Sequence, residues 1–152
     1  PMRIFDNIFG KQKEARANET EDTPEQINMA CAALLLEVAE ADYVDDPAET
    51  EAILRALESE LNLKRAEVSA LLARAKSETE GATDLFPYTH LINQRCGREQ
   101  KCAILTAMWR VAMADGNLDK YEDQLLRRVT NLLRLDHSDF IAAKQAARPK
   151  ED

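Results

Sequence analysis

Glycine and proline are scarce in this chain, at 4 and 5 of 152 residues. So few turn formers leave no room for a many-stranded sandwich or barrel. The cysteines, Cys31, Cys96 and Cys102, are odd in number, lack C-x-x-C spacing and have no histidine nearby in a ligand pattern. They read as small apolar packing residues of a reduced, cytoplasmic chain rather than as a disulfide framework. A basic surplus is also missing: 20 Lys and Arg face 28 Asp and Glu, for a net charge of −8. That balance argues against sequence-independent nucleic-acid binding. No apolar run reaches the roughly 18 residues of a membrane span, and no signal-peptide pattern opens the chain. Phosphate-binding, zinc-protease, nucleophile-elbow and dinucleotide motifs are all lacking. His90 and His137 lie on different segments, and Tyr88 and Tyr121 have no special neighbour. The expectation is a non-enzyme with no catalytic residue and no organic cofactor.

What is present is helix-forming. Ala, Leu, Glu, Arg and Lys dominate, and the length suits one domain that buries roughly two-thirds of its unfolded surface. Residues 2–10, "MRIFDNIFG", place Ile4, Phe5, Ile8 and Phe9 on one face of a short helix that Gly10 would end. The stretch that follows is polar and aperiodic, so residues 1–23 read as an amphipathic helix and linker ahead of a helical domain at 24–147. Thr23 and Pro24 form an N-cap and first helical position. Further helices are expected at about 47–61, 64–80, 84–95, 98–114, 120–134 and 137–147. "ACAALLLEVAEA" (30–41) and "ILTAMWRVAMA" (104–114) are apolar almost all round, as in helices surrounded by others. Trp109 should be core. The predicted fold is an all-α bundle of about seven helices.

The chain also repeats itself. Residues 37–57 align with 110–129 at an offset of 73 through Glu49 and Glu122, pairing Asp42 with Asp115 and Asp46 with Asp119. One residue then drops out, after which Leu63 aligns with Leu135. Two three-helix units, 24–80 and 98–147, therefore flank the 84–95 helix and should pack as a pseudo-symmetric bundle. Glu37 and Arg110 are equivalent in this alignment. They meet as an ion pair if their helices cross near the pseudo-twofold axis; otherwise each snorkels to solvent.

Each unit carries an Asp, an Asp four positions on, and a Glu three after that: Asp42, Asp46, Glu49 and Asp115, Asp119, Glu122. Capping accounts for four of them. Asp46-Pro47-Ala48-Glu49 and Asp119-Lys120-Tyr121-Glu122 are capping boxes, the first with Pro at N1. Asp42 and Asp115 close a helix at its negative end, where a carboxylate is disfavoured without a positive partner. That partner is either a cation or an arginine of the next helix, Arg55, Arg127 or Arg128. An EF-hand is excluded, because its glutamate stands twelfth in the loop and here it stands eighth. Nine acids between Glu37 and Glu60 face one base, Arg55, so the surface concentrates cations in any case. With no His or Cys close by, the site would be oxygen-only and take calcium or magnesium rather than zinc.

With "EVAEADYVDDPAE" (37–49), "DLFPYTHLIN" (84–93) and "WRVAMADGNLDKYEDQLLRRV" (109–129), the chain resembles the TerB-like tellurite-resistance family over residues 24–147. The resemblance implies an all-helical bacterial domain, an acidic metal site at the six residues above, and a stress-response or scaffold role. One departure is Tyr43, which stands where the motif has glycine after Asp42; Gly116 keeps it after Asp115. Two functions follow: a divalent-cation-binding domain, or an interaction module whose acidic motifs are structural. Expected partners are another protein or a second copy, with no nucleic acid and at most peripheral membrane contact through the N-terminal helix.

Overall fold

The computed structural model describes residues 24–40, 47–80, 84–114, 118 and 120–148. Seven helices account for most of them: α1 (Pro24–Glu40), α2 (Pro47–Leu61), α3 (Arg65–Thr79), α4 (Phe86–Arg95), α5 (Arg98–Ala112), α6 (Lys120–Leu132) and α7 (His137–Ala147). There is no strand among the described residues. The N-terminal helix and Thr23, its neighbour's proposed cap, lie outside them.

The two segments that are apolar all round become the centre. In α1, Ile27, Leu34 and Val38 are fully buried, and so are Leu105, Met108 and Trp109 in α5. These helices pack on each other, and the remaining five surround them. Amphipathic helices supply one face each, such as Ile53 and Leu57 of α2 or Leu126 and Val129 of α6. In both triplets the first helix packs more extensively on the third than on the second, α1 on α3 and α5 on α7. Between the triplets, α4 packs on α1 and α6, and Asn93 Nδ2 donates to the Leu132 carbonyl at 2.8 Å. That bond satisfies one orphan carbonyl at the end of α6.

Both second helices also stop alike. Asn62 (φ 56°) and Arg134 (φ 59°) are left-handed, 72 residues apart, and each precedes one of the aligned leucines, Leu63 and Leu135. After α6 the closure is complete: Leu135 N–H donates to Thr130 and Arg134 N–H to Asn131, both at 3.0 Å. This is the paired bonding of a Schellman stop, with Leu135 buried beneath it. Asparagine tolerates that conformation; an arginine there costs about 1–2 kcal/mol.

The anticipated pairing of Glu37 with Arg110 does not form. Arg110 is exposed and Glu37 half-buried, with no ion pair between them among the described residues. The two side chains leave their helices separately. Burial, and then the Glu40 charge, raise the Glu37 carboxyl above its ordinary value, with Arg128 opposing. A raised folded-state value means the ionised carboxylate weighs against folding at neutral pH. That penalty fades as pH falls through the raised value and is gone below about 4.5. Glu37→Gln should therefore raise the melting temperature by about 1–3 °C at pH 7. The gain should vanish by pH 4 in thermal melts run across that range.

Candidate functional site

Two glutamates are the most deeply buried acids among the described residues. Glu49 is 1% exposed and Glu122 0%. Each is the third residue of its helix, α2 and α6, and the two are equivalent in the repeat. Side chains at the start of a helix lean back toward its N-terminus. The positive end of the helix dipole favours a carboxylate there. Glutamate is almost never this deeply buried unless something compensates its charge. Asp42, Asp46, Asp115 and Asp119 lie outside the described residues, so the structure places two of the six candidate ligands. Among the described residues no three His, Cys, Asp or Glu side chains converge as a ligand set.

Beside Glu49 the described surface is polar on one side and small on the other. A groove of about 480 Å³ runs between α2 and the end of α5, floored by Ala52, Ala56 and Ala114 and edged by Arg55 and Arg110. Ala48 lines it from beside Glu49, and Ala114 directly precedes Asp115. The start of α2 and the end of α5 therefore share one groove.

Among the described residues, the arginines proposed as counter-charges make contacts within their own helices and beyond. Arg55 Nε donates to Glu51 at 3.0 Å, and Arg127 Nε donates to Asp123 at 2.9 Å, each one turn back on its own helix. The Arg127 guanidinium also lies 4.6 Å from the centre of the Phe140 ring. Arg128 is exposed and acts on Glu37.

Arg65 lies just beyond the acidic stretch 37–60 and supplies it with a further base. It grips Glu51 with both terminal nitrogens at 3.0 and 2.9 Å, and its Nη2 also donates to Glu58 at 2.7 Å. These bonds, Arg65 first and Arg55 second, hold the Glu51 carboxyl down to about 2. Part of the acidic face is thus neutralised from the next helix. Arg98 plays a comparable part in the second unit. It bonds Asp139 at 2.7 Å, and Asp139 in turn accepts from the Asp136 N–H at 2.9 Å, which ties the starts of α5 and α7 together. Neither arginine lies in a repeated motif, so only the fold reveals its partners.

Other residues singled out from sequence are structural or surface groups. The three cysteines are free, Cys31 and Cys96 buried and Cys102 partly so, and burial pushes all three thiols up. Inert thiols behave this way. His90 stacks on Phe86 and His137 on Phe140. No described helix is long and apolar enough to cross a membrane.

Compared with known proteins, residues 28–145 match the family model described as tellurite resistance protein TerB. No curated protein and no solved structure matches the chain. The match spans most of the chain, including the end of α5 and the starts of α2 and α6 where the two buried glutamates sit. This chain belongs to the TerB family.

Proposed function

We propose that this is a non-enzymatic, cytoplasmic TerB-family domain that binds a divalent cation at its acidic helix junctions, in tellurite resistance or a related stress response. The observation that supports it is the burial of Glu49 and Glu122 at equivalent helix starts. Asp115, Asp119 and Glu122 would hold the principal ion, and Asp42, Asp46 and Glu49 a weaker one. The donor set is hard oxygen throughout, which suits calcium or magnesium. A bound cation would compensate the negative charge that Asp115 adds just beyond the C-terminal end of α5. The shared packing order of the two triplets, and their aligned left-handed stops, support a duplicated unit with one site in each.

A second reading is favoured by the same glutamates standing third in their helices, where a capping box alone places a carboxylate. The domain is then an interaction module with purely structural acids. Titration calorimetry separates the two. The wild type should bind calcium, magnesium or manganese, and Asp115→Asn should weaken that binding by about tenfold or more. Absence of binding by either protein at millimolar concentrations would leave the interaction module.

A further inference from the structure

We infer that the groove between α2 and the end of α5 receives a helix of a partner protein, with a carboxylate of that helix against Arg110. The observation behind it is a contrast between two helix crossings aligned by the sequence repeat. α2 packs on α5; α6, which aligns with α2, packs on α1, which aligns with α5. At the second crossing Arg128 of α6 lies close enough to Glu37 of α1 for its charge to favour that carboxylate. At the first, the aligned residues are Ala56 and Arg110, and both line the groove. The sign of the charge on the central helix is reversed, and the side chain that would meet it is cut back to a methyl. Tyr121 of α6 likewise aligns with Ala48. Two large, exposed side chains on α6 are thus alanines on α2, and the groove beside those alanines holds about 480 Å³.

Shape and charge together select the occupant. Ala48, Ala52 and Ala56 recur at four-residue spacing, so they form one shallow row along α2. Rows of that spacing are the ridges against which a neighbouring helix seats, and small side chains let its backbone come close. Ala114 continues the low floor on the α5 side. The charged side chains of the lining are Glu51, Arg55, Glu60 and Arg110. Glu51 is already held by Arg55 and, through two bonds, by Arg65. Glu60 also lines a small cavity with Ile104 and Ala107, about one to two turns before Arg110 on α5. Arg110 itself is exposed and makes neither hydrogen bond nor ion pair among the described residues. Its guanidinium is therefore available to a partner's carboxylate, a pairing that fixes register as well as adding attraction. The groove serves in this way with or without a cation at the junctions.

A carboxylate built onto the groove floor tests the geometry in the purified full chain. Ala56→Glu should melt about 1–3 °C above Ala56→Gln, and the difference should vanish when Arg110→Gln is added. Equal melting of Ala56→Glu and Ala56→Gln would overturn the proposal, because Arg110 would then not meet a carboxylate at that place. The partner is sought with the photo-crosslinker p-benzoylphenylalanine at Ser59, an exposed lining position, in the full chain within cells of its source organism. Irradiation should join it to a helical segment that bears Asp or Glu. Arg110→Glu should cut that product about tenfold or more, and changing the partner's acid to Arg should restore it. A product indifferent to Arg110→Glu would overturn the proposal, as would no product at all. A product formed only with a second copy of the chain would overturn it in favour of self-association.

Discussion

Trp109→Ala should lower stability by about 3–5 kcal/mol, the cost of emptying a large, fully enclosed aromatic site. In a chain of this size that corresponds to a fall in melting temperature of about 10 °C or more. Trp109 is fully buried in α5, edge-on to Phe140 of α7 at 5.1 Å, with the Lys144 ammonium 5.2 Å from its ring. Arg127 of α6 covers Phe140 from another side. The ring therefore joins α5 to α7, and its loss would leave Phe140 without its edge contact and Lys144 without its ring face. Its indole N–H is buried with no acceptor among the described residues, which is a cost rather than a gain. Trp109→Phe removes that donor and keeps most of the packing, so it should cost less than about 1.5 kcal/mol. Urea unfolding of both variants checks the pair. Equal losses for Phe and Ala would show that the indole N–H, not the ring volume, is what the site uses.

The helices were legible because their signals are local. Pro47 and His137 open α2 and α7 at the residues expected, and the apolar runs around Leu34 and Met108 became the two central helices. Other ends fell short by a residue or two. α5 stops at Ala112 rather than 114, and α4 begins at Phe86 rather than 84, where Asp84 accepts from the Phe86 N–H at 2.9 Å. Such ends are set by competition between a side chain and the last backbone bonds. The ion pairs were not legible. Arg65 finds Glu51 fourteen residues away, and Arg98 finds Asp139 forty-one away, because the α2–α3 and α5–α7 crossings put them together. Helical periodicity says which residues face inward; it carries no information about which two exposed charges a crossing will align. The same blindness explains Glu37 and Arg110: equivalence in a sequence repeat does not by itself bring two side chains into contact, and these form no ion pair. At the candidate site, the spacing identified Glu49 and Glu122 as third residues of their helices. It did not foretell that both would be withdrawn from solvent, since a capping glutamate is ordinarily a surface group.

That withdrawal gives the sharpest test of the cation. Glutamine at the third helical position preserves a capping acceptor, so Glu122→Gln should leave the start of α6 intact while removing the charge. If the carboxylate helps hold a cation, affinity should fall by about tenfold or more, and the rise in melting temperature on adding calcium or magnesium should shrink with it. Glu49→Gln should have the smaller effect on the ion. In the second motif Gly116 follows Asp115, as the family pattern has it; Tyr43 holds the aligned place in the first. The weaker motif should therefore contribute less binding from the outset, and the double variant should resemble Glu122→Gln alone. Trp109, the only tryptophan in the chain, provides a fluorescence reading of the same titrations. A cation response unchanged in Glu122→Gln would make both glutamates helix caps, and the acidic junctions would then shape a surface for a protein partner instead of an ion.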